Sequence, residues 1–406
     1  MSVNTLNFEQ ISTVLTSIVQ QATGQAVQTP TDTGSFVSVA QVALRADRDS
    51  VMNAISNILG RTIFSIRPYS AKLTGLDMDT FRWGGMMRKL SIADTDWEDD
   101  EAYAYPVFYD ANQTPPDGEG GSVDRWKIKK PNVLQTNFYG QSVYSDHMTI
   151  TEDQIETAFT GPEQLGSFLT LLMTNLSNRL EMSNEAIRRG LVCNAIGAIY
   201  DENASDRVIH LLTEYNTLAG ITPALTAQTV FDPANFPAFC KWVYSRVAEI
   251  TDLFTANSTM FQTNITGKPI LRHTPYEFQR VYLYSPFQRQ MDARVLADTF
   301  HDNYLRYADV ESIPYWQSIN GSRDEVTVTP SYVDNTGTLV TPASAVNVEN
   351  VFGLIFDRDA MGMTILDRRV LSTPVNESGL YRNIWVHGKQ RVVFDNTEKM
   401  ALLLLD

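Results

Sequence analysis

Cysteine is nearly absent: the 406 residues contain two, Cys193 and Cys240. Each sits in an apolar stretch, so both read as reduced core residues, with no disulfide framework to staple the fold. No run approaches the ~18 continuous apolar residues of a membrane span. The first forty residues carry two charges, Glu9 and Asp32, both acidic. A secretory signal needs a basic start and an apolar run, and neither is there. These absences predict a soluble protein of a reducing compartment. Cations are also scarce, with 32 Lys and Arg against 47 Asp and Glu and a formal net charge of −15. Counterion release needs clustered cations, so this balance argues against a protein that grips phosphate backbones as its main task.

Catalytic signatures are missing too. Gly267-Lys268-Pro269 and Gly388-Lys389-Gln390 lack the upstream glycine spacing and the following hydroxyl of a phosphate loop. There is no cysteine pair at ligand spacing, no His-Glu-x-x-His and no Gly-x-Ser-x-Gly elbow. The histidines, His147, His210, His273, His301 and His387, stand far apart in the chain. Ser145-Asp146-His147 and His301-Asp302 bring acids beside imidazoles, but 47 acids make such neighbours by chance. The sequence therefore offers no catalytic, cofactor-binding or metal-ligating residues, and no cofactor is expected.

What is present is length and pattern. A chain of this size makes two or three domains and buries roughly three quarters of its unfolded surface. Residues 1–50 are polar, with a weak helical pattern at Phe8, Ile11, Leu15 and Ile18, and read as an arm lying on something else. Val51–Leu59 predicts a short helix stopped by Gly60, and Thr62–Ile66 a strand ended by Pro68. Phe81–Ser145 reads as one long β-hairpin around the tip Asn112–Gly121. Its outgoing arm, Ser91–Asp110, holds seven acids (Asp94, Asp96, Glu98, Asp99, Asp100, Glu101, Asp110) and no Lys or Arg. The return arm holds Arg125, Lys127, Lys129 and Lys130 against Asp124. With Trp97, Tyr103, Tyr105, Phe108 and Trp126 on it, such a hairpin needs a surface, its own domain or a neighbouring subunit. The acidic stretch Asp94–Glu101 lacks the glycine-punctuated spacing of a cation loop and reads as a solvated or cation-paired strand.

A long helix follows. Pro162 takes the first helical position, and Leu165, Leu169, Leu172, Leu176, Leu180, Ile187 and Leu191 recur at helical spacing to about Ile199. Thr174, Asn178, Glu181, Glu185 and Arg189 form the opposite, polar face, and Gly190 could bend or break the helix. Residues 206–350 mix helices from Pro237 and Ser285 with strand-like runs at Val281–Tyr284 and Val326–Thr329, and further strand-like runs follow at Val351–Phe356, Arg391–Phe394 and Met400–Leu405. The fold class is α+β, its sheet gathered from distant segments.

This order of arm, acidic-then-basic hairpin, very long helix and mixed domain resembles the major capsid proteins of tailed bacteriophages, which share the Hong Kong 97-type fold. The segments Phe352–Gly362, Ser372-Thr373-Pro374 and Gly379–Ile384, with the apolar closing strand, are similar to the end of capsid proteins from short-tailed phages. The resemblance implies an N-terminal arm (1–50) and a peripheral domain with the spine helix (51–80 and 146–205). It further implies an extended loop (81–145), an axial domain (206–370) and closing strands shared with the peripheral domain (371–406). It implies a subunit that self-assembles into pentamers and hexamers of an icosahedral shell enclosing double-stranded DNA, without sequence-specific binding and without a membrane. Trp97, Asp99, Asp100, Glu101, Trp126, Lys127, Lys129 and Lys130 are the expected intersubunit contacts. A scaffolding protein, a portal and a decoration protein are the further implied partners, with assembly in the host cytoplasm. Some members cross-link the loop through a Lys–Asn isopeptide bond. Here the lysines lie off the tip, so no cross-link is expected, and with about fifty residues before the fold no cleaved N-terminal segment is expected either. Two alternatives stand beside this reading: a cellular nanocompartment shell of the same fold, and a metal-assisted hydrolase using the acidic arm.

Overall fold

The computed structural model describes residues 8–23, 28–46, 72–78, 86–93, 132–139, 142–154, 161–204, 206–267, 270–295 and 309–406. The helix expected at 51–59, the strand at 62–66, the hairpin tip, His301 and Asp302 lie outside the described residues. So do all eight expected contact residues.

The organising element is a single helix, α3 (Pro162–Glu202), with proline in its first turn and Asn203 in the left-handed conformation at its end. At 1.5 Å per residue its 41 residues reach about 61 Å. It runs through Gly190 without interruption, at a site where the glycine has open space around it. Its two halves do different work. In the first half Leu176 and Leu180 are buried against Val386 beneath a three-stranded antiparallel sheet ordered β12-β13-β3. These strands are β3 (Ser142–Thr151), β12 (Met361–Ser372) and β13 (Tyr381–Phe394). Leu172 is only half-buried and Leu171 is exposed, so the apolar stripe is narrower at that point than the leucine spacing suggests.

In the second half, Leu191, Val192, Ala195, Ile196 and Ile199 pack under a five-stranded sheet ordered β4-β14-β11-β5-β6. Its strands are β4 (Val208–His210), β5 (Gln279–Tyr284), β6 (Asp309–Ile313), β11 (Val351–Asp357) and β14 (Met400–Leu404), the short strands β7 (Val326–Val328), β8 (Tyr332–Val333), β9 (Leu339–Val340) and β10 (Val346–Val348) lying between β6 and β11 in the chain. The middle three pair antiparallel, while both outer strands join in parallel. This sheet is covered on both faces, so its strands read as continuous apolar runs. Tyr282, Leu354, Phe356, Leu402 and Leu404 face α3. Val281, Leu283, Phe352, Ile355 and Leu403 face α5 (Phe236–Thr255), α4 (Leu211–Ala219) and α6 (Ser285–Val295).

The polar face expected on α3 is a correction: Glu185 and Arg189 are 6% and 7% exposed and face protein, not solvent. Their charges are paired instead. Arg189 bonds Glu185 at 2.8 Å, donates to the Tyr315 carbonyl and lies 3.8 Å over the Tyr315 ring. The closing segment contributes to two sheets. β12 and β13 form one antiparallel pair, whereas β14 sits inside the five-stranded sheet.

The N-terminal residues form two helices, α1 (Phe8–Thr23) and α2 (Thr33–Ala46), packed on each other and on α3. Leu15, Ile18 and Val19 of α1 and Phe36 and Ala40 of α2 are buried, so the arm lies on its own spine helix. Asp32 caps α2, accepting from the Ser35 amide at 2.6 Å while the Asp32 amide donates to Ser35 Oγ. That Asp-x-x-Ser signature announces α2 in the sequence.

Candidate assembly surfaces

Two features of the surface stand out. The first is the hairpin base, β1 (Met86–Ala93) paired antiparallel with β2 (Asn132–Tyr139). Its register runs from Met86 opposite Tyr139 to Ala93 opposite Asn132, a constant sum of 225 centred between positions 112 and 113. The return arm ends at Tyr139, and Ser142–Ser145 belong to β3, which pairs with β13. Leu90, Ile92 and Val133, with Ile92 opposite Val133, are 45–62% exposed on one face of the hairpin, which Arg88 and Gln135 share.

The hairpin is held to the body through charge. Lys89 Nζ donates to Asp395 Oδ2 at 2.7 Å and is also paired with Glu398. Arg272 pairs with Glu398 from the other side and donates to Ser91 Oγ and Thr397 Oγ1, each at 3.2 Å. Thr397 Oγ1 in turn donates to Asp395 Oδ1 at 2.6 Å. Asp395 and Glu398 are buried. Burial pushes the Glu398 carboxyl up, against the pull of Lys89 and Arg272. At Asp395 burial acts the same way, but the Lys89 charge and the Thr397 hydrogen bonds overcome it and hold the carboxyl below its usual range. Beside this clasp, Lys399 is buried at the C-terminal end of α5, donating to the carbonyls of Ala256 (2.7 Å), Phe254 and Leu253 and to Ser258 Oγ. Burial pushes its ammonium down to about 8, with Asp357 opposing. The sequence reading missed these groups. The pair Asp395 and Glu398 within an Asp-x-Thr turn is a visible signal, but its partner Lys89 is 306 positions away.

The second feature is the outer face of the three-stranded sheet. Alternate residues of β3, β12 and β13 point away from α3. They place His147, Trp385 and His387 in one stack, with ring centroids 4.5 Å and 5.9 Å apart. Thus His147, whose neighbour Asp146 reads in the sequence as a chance adjacency, stacks on Trp385, while Asp146 pairs with Arg179 of α3. His210 bonds Asp406 at 2.7 Å near the chain end. Among the described residues no three His, Cys, Asp or Glu side chains converge as metal ligands. No described helix is long and apolar enough to cross a membrane.

The family model for Phi29-like phage major capsid proteins matches residues 15–403. The chain belongs to that family. It is a structural, shell-forming capsid subunit and not an enzyme. Solved structures agree on the fold. A chain of the capsid structure of Staphylococcus phage Andhra is similar at TM-score 0.51 and 10% identity, covering 84% of this chain and 87% of that one. A chain in the structure of head fiber and inner core protein gp22 of native bacteriophage P68 is similar at TM-score 0.51 and 11% identity, with 83% and 85% covered. The capsid subunit therefore has the α+β, Hong Kong 97-type fold that its segment order suggested. No curated protein matches it in sequence. Family membership places the protein in the virion, assembled from copies of itself, and favours neither the nanocompartment nor the hydrolase alternative.

Proposed function

We propose that this subunit closes into pentamers and hexamers of an icosahedral shell that holds double-stranded DNA without sequence-specific binding. The observation that carries the proposal is the family match over residues 15–403, on a chain whose net charge is −15. An acidic wall repels an anionic cargo, which suits a container that must later release it. In this reading α1, α2, the three-stranded sheet and the first half of α3 are the peripheral domain. The five-stranded sheet with α4, α5 and α6 is the axial domain, and β14 belongs to the latter. The hairpin from β1 to β2 lies over a neighbouring subunit, with Trp97, Asp99, Asp100, Glu101, Trp126, Lys127, Lys129 and Lys130 as contacts. Contacts of this head-to-tail kind must close, and many modest ones add up over a shell. A scaffolding protein, a portal and a decoration protein complete the particle, which assembles in the host cytoplasm. Nuclease treatment of shells recovered from infected cells tests the cargo: protected double-stranded DNA is the expected result, and shells filled with an enzyme would contradict it.

A further inference from the structure

Asn320 is the one asparagine in the sequence that is followed by glycine. It stands at the tip of the loop between β6 and β7, and the base of that loop is pinned. The Trp316 amide donates to the Arg323 carbonyl at 3.0 Å, and the buried Trp316 indole donates to the Val351 carbonyl at 2.8 Å. The Gln317 carboxamide accepts from the Thr327 amide at 2.8 Å and donates to the Thr327 carbonyl at 2.7 Å. Between these anchors residues 318–322 are all exposed. The Asn320 amide donates to Ser318 Oγ at 3.3 Å, while the Asn320 carboxamide and the Gly321 nitrogen make no hydrogen bond among the described residues. Other carboxamides are tied down: Asn194 bonds the amide and carbonyl of Ser331, and Asn216 those of Leu225.

We infer that Asn320 is a modification site, at which the folded subunit turns its own asparagine into aspartate and isoaspartate. The Gly321 nitrogen bonds to Asn320 Cγ and closes a cyclic imide. The carboxamide C–N bond breaks, and its nitrogen leaves as ammonia, carrying the proton that Gly321 gives up. Water then adds to either imide carbonyl and breaks one C–N bond. Opening at Cγ restores the ordinary backbone with an aspartate, and opening at the main-chain carbonyl leaves the backbone running through Cγ as isoaspartate. One water is consumed, one ammonia is released, and no oxidant or reductant takes part. Glycine at 321 matters because it has no Cβ to crowd the attacking nitrogen. Each event adds a carboxylate to the loop tip, three residues before Arg323, so the surface charge of the subunit becomes more negative with time.

Isotope labelling tests it. The folded subunit is held in mildly alkaline buffer made with oxygen-18 water and then digested in ordinary water, so that the label marks only conversion in the folded chain. The tryptic peptide Tyr307–Arg323 is expected to gain about three daltons at Asn320 and to elute as two products, aspartate and isoaspartate. G321A is a clean control. Its Cβ would meet only Ser318 Cβ, at 3.9 Å, and Gly321 does not occupy the left-handed region, so the variant keeps the parent's thermal midpoint. It is expected to slow conversion about tenfold or more. An Asn320 that stays unlabelled in the folded parent, while the free peptide of the same sequence converts in the same buffer, overturns the inference. So does labelling of G321A at the parent's rate. Labelled aspartate without isoaspartate overturns it as well, because that is direct hydrolysis of the carboxamide.

Discussion

Lys89, Arg272, Asp395 and Glu398 show how a few buried charges can fix a large appendage. Breaking a buried pair leaves an uncompensated charge, which costs about 3–5 kcal/mol, whereas neutralising a group that burial already disfavours costs less. The two carboxyls fall on opposite sides of that rule. Asp395 is held below its ordinary value of 3.8, so its contribution is present above that pH and is lost as pH falls through its lower folded value. Glu398 is raised above 4.5, so its charge costs stability as pH climbs from 4.5 through its higher folded value. D395N is therefore expected to destabilise the unassembled subunit at pH 7 more than E398Q, read by denaturant unfolding. The gap between E398Q and the parent should close on acidification, as the parent's Glu398 takes up its own proton. The reverse ranking would contradict the clasp as described. Beyond the local Asp-x-Thr turn, the clasp was not legible in the sequence, because each of its ion pairs joins residues more than a hundred positions apart and single charged residues carry no periodic signal.

Among the elements, the spine helix was the most legible. Pro162 at its start and repeated leucines set its beginning and length, and both agree with the structure. Its surroundings were not legible from one helix alone. Glu185 and Arg189 read as solvent-facing because charges usually are, but their own ion pair, the Lys72 amide on Glu185 and the Tyr315 carbonyl and ring on Arg189 make their burial tolerable. Gly197 illustrates the same point. A Cβ there would lie 2.4 Å from Val328 Cγ1 of β7 (Val326–Val328), so the helix and strand approach as closely as they do because that side chain is absent. Gly388 acts similarly in β13, where the Tyr144 ring lies across it from β3. G197A should cost about 1–3 kcal/mol through overpacking, despite alanine's better helix propensity. A thermal midpoint equal to or above the parent's would show that β7 can give way.

For the whole molecule, the order of segments carried more information than any motif. Arm, hairpin, spine and mixed domain point to the capsid fold. β14, although last in the chain, pairs with β4 and β11 from far upstream. Strand order of that kind depends on tertiary pairing, which local periodicity does not encode. In the reading proposed above, the hairpin tip reaches a neighbour and not its own core. The hairpin base has an exposed face and its hold is the ionic clasp, so deleting Asn112–Gly121 should leave the subunit folded and stop it closing shells. Negative-stain electron microscopy of the parent and deleted chains, with sedimentation of the same samples, tests the account most directly. Closed shells or five- and six-membered rings from the parent, and small folded oligomers from the deletion, are the expected result. A parent that stays monomeric under crowding, or a deleted chain that forms normal shells, would contradict it.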